Sequence, residues 1–83
     1  MSRTANPDAA LAVVIRRLRA ERGLSQEAVA FKAGITTGSV ARLELGQSAP
    51  GWETVRHIAQ ALEVRLADLG AAVEMEDQGI PKR

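Results

Sequence analysis

Apolar residues recur along this chain at intervals of three and four, the period of a helix with one buried face, and strand-type alternation is scarcely found. Leu11, Ile15 and Leu18 mark a first helix, with Arg16, Arg17 and Glu21 turned elsewhere. Asn6-Pro7-Asp8 predicts its start, with Asn6 as N-cap, Pro7 at the first helical position and Asp8 near the positive end of the dipole. Gly23 predicts its end. Ser25 caps a second, short helix with Val29, Ala30 and Ala33 on its inner face and Gly34 as its stop. Thr36 caps a third, containing Val40, Leu43 and Glu44 and ended by Gly46. Gln47-Ser48-Ala49-Pro50-Gly51 has the composition of a loop. Val55, Ile58, Ala59 and Leu62 then predict a fourth helix from about Trp52 to Leu62, with Trp52 in the core or at its edge. Val64, Leu66 and Leu69 predict a short fifth helix ending near Gly70. The remainder turns acidic and then holds Gly79 and Pro81. The expected division is an arm (1–6), an all-α five-helix domain (7–70) and a tail (71–83) that is flexible or docks a partner through Val73, Met75 and Ile80.

Composition narrows the function classes. A chain of 83 residues has room for one core. A domain of this size buries only about 60% of the surface its unfolded chain exposes, so a partner subunit is a natural source of further stability. There is no cysteine, which excludes disulfides and thiolate metal sites, and His57 alone makes no histidine cluster. No cofactor is expected. The apolar run Ala9–Ile15 is far too short to span a membrane and fits a signal peptide poorly, so the expected location is the cytoplasm, on the bacterial nucleoid when bound to DNA. No Gly-rich phosphate loop, nucleophile–base pair or metal-ligand spacing supports an enzyme.

The net charge of +1 hides an uneven distribution. Arg3, Arg16, Arg17, Arg19 and Arg22 lie near the start, against Asp8 and Glu21, whereas residues 51–83 carry an excess of acidic side chains. A basic front and an acidic rear suit a protein that meets a polyanion with one face, although the same residues also suit solvated helix faces.

The stretch from Gln26 to Glu44 carries the functional argument. Two short helices joined by a turn containing glycine form a helix-turn-helix. Ala30 is small where the second and third helices approach, Gly34 accepts a positive φ at the turn, and Ile35, Val40 and Leu43 are apolar where the third helix enters the core. The opposite face of that helix, with Thr37, Gly38, Ala41, Arg42 and Leu45, is left for a major groove.

Leu18-Arg19, Gly23-Leu24-Ser25-Gln26-Glu27, Val29-Ala30, the run Val40–Gly46, the run Pro50–Val55 and the run Ile58–Val64 fall in the order and at the intervals of a known family. From about Leu11 to Leu69 the chain resembles the lambda-repressor/Cro, or XRE, type of helix-turn-helix regulator. The resemblance implies a compact five-helix domain that lays its third helix in the major groove of double-stranded DNA. It implies a phosphate contact for Gln26, aided by the helix's positive end, base or phosphate contacts for Thr37, Gly38, Ser39 and Arg42, and a structural ion pair between Arg19 and Glu44. Thr36, Lys32 and Gln47 complete the candidate DNA-binding set. Arg42 suits the acceptor edge of guanine, with a phosphate contact or a solvated side chain as the alternatives.

The departures from the family pattern also carry information. Gly38 and Ala41 occupy reading positions without hydrogen-bonding side chains, and Leu45 stands where the family often has a polar or basic phosphate contact. Glu63 replaces a frequent glycine, and Arg65 a usual cap. The expected function is a sequence-specific transcriptional regulator, a homodimer on a pseudo-palindromic operator. The other expectation is an antitoxin or similar protein-interaction module whose tail binds a partner protein.

Overall fold

The computed structural model describes residues 8–78. Five helices and no strands occur among them: α1 (Ala9–Glu21), α2 (Gln26–Ala33), α3 (Thr37–Glu44), α4 (Trp52–Ala61) and α5 (Leu66–Asp77). α1 packs against α3 and α5, α2 against α3 and α4, and α4 against α5. The core between them is aliphatic, built around Val14, Ile15, Val29, Val40, Ile58, Leu62 and Leu69.

The N-termini follow from hydroxyl and carboxylate caps. Ser25 accepts from the Ala28 N–H at 2.9 Å and Thr36 from the Ser39 N–H at 3.0 Å, each satisfying a donor that the first turn leaves without an intrahelical partner. α1 begins later than expected. Asp8, not Asn6, is its N-cap, in extended conformation and accepting from the Leu11 N–H at 3.0 Å. Aspartate caps as well as asparagine does, and Asp8 has Leu11 at the correct spacing. Asn6, Pro7 and the expected arm lie outside the described residues.

Four helices end in one hydrogen-bonding pattern. Leu24, Ile35, Gln47 and Val64 donate their N–H groups back to the carbonyls of Arg19, Ala30, Arg42 and Ala59, and the residue before each takes a left-handed conformation. This double closure satisfies the terminal carbonyls and turns the chain sharply. Leu24, Ile35 and Val64 then tuck against the core, whereas Gln47 is exposed. In three turns the left-handed residue is glycine; in the fourth it is Glu63, at φ 59°.

Two expectations need correction. α5 does not end near Gly70 but continues to Asp77, so Ala71–Asp77 are helix rather than tail. One glycine weakens a helix by about 1 kcal/mol, less than is gained by continuing a helix that packs Leu69, Ala72 and Val73 on the core. Arg17 and Glu76 add a long ion pair at 3.5 Å. Ile80 lies outside the described residues. Trp52 is not a core residue: it opens α4 with 66% of its surface exposed.

Glu63 yields a stability prediction. A side chain in the left-handed region costs about 1–2 kcal/mol, and glycine at such a site offsets part of the gain through its freer unfolded chain. Glu63→Gly should stabilise by about 0.5–1 kcal/mol and raise Tm by a few degrees, whereas Gly34→Ala should lower it. Thermal and urea melts of the two variants check both signs.

Candidate nucleic-acid interface

α3 divides sharply into an inner and an outer face. Val40, Leu43 and Glu44 are buried, while Thr37, Gly38, Arg42 and Leu45 are exposed and Ala41 is half-exposed. The helix is amphipathic, but its inner face holds a carboxylate. Glu44 is only 3% exposed. Its environment explains how a charge survives there. Arg19 Nε donates to Oε2 at 2.6 Å and Nη2 to Oε1 at 3.0 Å, a forked pairing suited to guanidinium and carboxylate. The third arm, Nη1, donates to the Leu24 carbonyl at 2.8 Å. Gln26 Nε2 donates to Glu44 Oε1 at 2.9 Å, and Arg16 Nη1 to the Glu44 carbonyl at 3.2 Å. The Arg19–Glu44 pair thus ties together α1, the α1–α2 turn, α2 and α3. Among the described residues, no buried side-chain nitrogen or oxygen lacks a partner.

The expected Arg19–Glu44 pair is therefore present. Gln26, expected to meet a phosphate, is instead bound internally through one amide hydrogen. An amide nitrogen carries two, so the second, with the positive end of α2, leaves it able to meet an anion without breaking the internal bond. Thr36 and Ser39 are likewise engaged with each other: besides the cap, their hydroxyls lie 2.9 Å apart. Arg42 bends toward the start of its helix. A Cβ at position 38 would lie 3.4 Å from Arg42 Nη1, so the bare Gly38 backbone lies beside the guanidinium. Gln47 is exposed just beyond the end of α3.

Lys32 does not join this group. It lines a small crevice with Arg22, Leu24, Leu62 and Glu63, formed by the α1–α2 turn, α2 and the end of α4. Three arginines of the basic front are also committed within the molecule: Arg19 and Arg16 at Glu44, and Arg17 near Glu76. The Arg17 contact is exposed and worth little. Sequence reasoning missed the Gln26–Glu44 and Arg16–Glu44 bonds, and no local signal marks them, because they join residues 18 and 28 positions apart.

The comparisons with known proteins agree with this geometry. A helix-turn-helix family model matches residues 15–69, a span that includes both helices of the motif and most of the core. The chain belongs to the XRE-type helix-turn-helix family. This XRE-type regulator matches no curated protein by sequence, but several solved structures are similar. The restriction-modification controller protein C.AhdI from Aeromonas hydrophila is 31% identical, with a TM-score of 0.71 over 74% of this chain and 92% of that one. The wild-type restriction-modification controller C.Esp1396I shares 19% identity with a TM-score of 0.84, covering 94% of this chain and 100% of that one. The clp gene regulator ClgR from Corynebacterium glutamicum shares 24%, with a TM-score of 0.78 over 89% and 81%. At those lower identities the likeness shows the fold. Family membership makes this protein a DNA-binding transcriptional regulator. Among the described residues, no helix is long and apolar enough to cross a membrane.

The Glu44 network makes a pH-dependent prediction. Burial pushes the Glu44 carboxyl up, but hydrogen bonds from Arg19 and Gln26, with the charges of Arg19 and Arg16, together hold it below its ordinary value. The hydrogen bond to Glu44 in turn raises the Arg19 guanidinium against the effect of burial. A depressed carboxylate contributes stability above its unfolded value and loses it as pH falls through the folded one. Wild-type stability should therefore decline below the ordinary carboxylate range, near pH 4. Arg19→Ala should cost about 3–5 kcal/mol at neutral pH by leaving a buried charge unpaired. In that variant Glu44 takes up a proton more readily, so the difference from wild type should narrow at pH 4. Urea melts at pH 7 and pH 4 measure both.

Proposed function

We propose that the protein is a sequence-specific regulator that binds as a homodimer, with the α3 helix of each copy in successive major grooves of a pseudo-palindromic operator. The observation that carries the reading is the outward face of α3, where Thr37, Gly38 and Arg42 stand exposed on a helix locked by the Glu44 network. Arg42 is the long side chain on that face and reads a guanine edge, while Thr37, Ser39, Gln26 and Gln47 meet the flanking phosphates. Thr36 contributes mainly by capping α3, and Lys32 adds only general electrostatic attraction. Two half-sites one helical turn apart, about 34 Å, match a two-fold symmetric pair.

The surface for the second copy is an apolar groove of about 590 Å3 between the start of α1, the loop before α4, and α5. Leu11, Pro50, Trp52, Val55, Leu66, Leu69 and Val73 line it. An exposed tryptophan beside such a groove is a typical interface anchor. With Val73 packed on the core, the α5 segment fits this interface better than it fits a loose tail wrapped around another protein. The solved structures similar to this chain include restriction-modification controllers and a clp gene regulator. Their duties differ, so the support for DNA recognition by this chain comes from the family model rather than from any one of them.

Selection of bound DNA from a random pool tests the proposal. A dimer should enrich two inverted half-sites, and affinity should fall linearly with salt on logarithmic axes. Enrichment of nothing, or salt-independent binding, defeats the reading. Trp52→Glu should sediment as a monomer with unchanged helical content and lose affinity for the two-part site. Arg42→Ala should weaken binding by about 1–3 kcal/mol at the preferred base and relax specificity there.

A further inference from the structure

Leu45 is an exposed apolar side chain at the end of the reading helix, with 67% of its surface uncovered. Its backbone is well held. Leu45 donates to the Ala41 carbonyl at 3.1 Å, keeps a right-handed helical conformation, and lies between the buried Glu44 and the closing turn at Gly46. At about 100° per residue, Leu45 falls within about 20° of Gly38 around the helix axis. Ala41 and Arg42 lie about 40–60° to either side. Leu45 therefore belongs to the same outward face as Arg42, whose guanidinium lies beside Gly38 toward the other end of the helix.

We propose that Leu45 is a second specificity-determining residue, which reads the C5-methyl group of a pyrimidine in the major groove. This rests on the DNA-binding reading of α3. The edges of the bases in that groove offer hydrogen-bond donors and acceptors, and one apolar group, the methyl of thymine. A leucine aimed into the groove has no polar atom with which to answer the others. Gly38 and Ala41 add little bulk beside it, and the methyl group of Thr37 lies about 80° around the helix and at its other end. A 5-methylcytosine presents the same methyl group, and the test separates the two sources. The rise of about 1.5 Å per residue places Leu45 about 10 Å from Gly38 along the axis. The methylated pyrimidine should therefore lie within about three base pairs of the guanine read by Arg42.

The experiment uses the full chain and the DNA site that selection yields, so failure to select any site tests the underlying reading separately. Each thymine is replaced in turn by deoxyuridine, which removes only the methyl, and Kd is measured for wild type, Leu45→Ala and Leu45→Met. At one thymine per half-site, wild type should lose about fourfold in affinity, the equivalent of one buried methyl group. Leu45→Ala should bind the thymine and uracil sites equally, and Leu45→Met should restore the difference. With cytosine at that position, 5-methylation should recover affinity for wild type but not for Leu45→Ala. A thymine in the selected site, with the uracil loss, identifies thymine as the source; a cytosine whose affinity rises only on methylation identifies 5-methylcytosine. A folded Leu45→Ala protein that keeps the full thymine-to-uracil loss at every position overturns the proposal. So does a bound site at which neither methyl group matters.

Discussion

The buried carboxylate of Glu44 sets the geometry on which the rest of the structure depends. A charge taken out of water carries a desolvation penalty that a single ion pair rarely offsets with much to spare. Glu44 meets it with a forked guanidinium, an amide hydrogen from Gln26, and Arg16 at its carbonyl. An apolar contact of the same volume could hold the helices together about as well, but it would not favour one rotation of α3. The forked pair does. With Glu44 held inward, helical geometry turns Gly38, Arg42 and Leu45 outward together, while Thr37 is exposed as the first residue of the helix.

The same constraint explains why the interface is sparse in charge. Two arginines that look like part of a basic front in the sequence are used to hold the scaffold: Arg19 and Arg16 both bind Glu44. What remains on α3 is one long cationic side chain among small and apolar positions. On the proposed reading, sequence-independent attraction to phosphate would be modest, and discrimination would fall on a few side chains and on the shape of the DNA.

How much of this was legible in the sequence depended on how local each cause is. Ser25 and Thr36 cap because a short hydroxyl side chain reaches the N–H three residues on, whatever surrounds it. Gly34 turns because it lacks a Cβ. Such features, with the inward spacing of Val29, Val40 and Leu43, made the five-helix order readable. The Arg19–Glu44 pair was legible only through family resemblance. The misjudged features are those set by distant neighbours. Gly70 looked like a stop because its local preference is against helix, but Leu69 and Val73 pack on the core and carry α5 onward. Trp52 suggests a place in the core or at its edge because it is large and apolar, yet as the first residue of α4 it stays mostly exposed beside a groove. Gln26 looked purely external because nothing in its own segment reveals a carboxylate arriving from α3.

Glu63 shows the same separation of local and distant causes in reverse. The α4–α5 turn takes the left-handed shape without the residue that favours it, because Val64 must donate to Ala59 and tuck against the core for α5 to pack on α1. The strain of about 1–2 kcal/mol is imposed by packing far from the residue that carries it. At the reading face the balance falls the other way. Gly38 weakens its own helix by about 1 kcal/mol, yet its missing side chain leaves the space beside which the Arg42 guanidinium lies. A Cβ there would meet the end of the flexible Arg42 at 3.4 Å and the Thr36 hydroxyl at 3.9 Å, both ordinary contacts, so the helix could carry alanine with little steric resistance. Folding alone therefore gives no reason for glycine at this position. On the proposed DNA-binding reading, its use would lie on the outer side of α3, where a missing side chain lets a ligand approach the helix beside the Arg42 guanidinium.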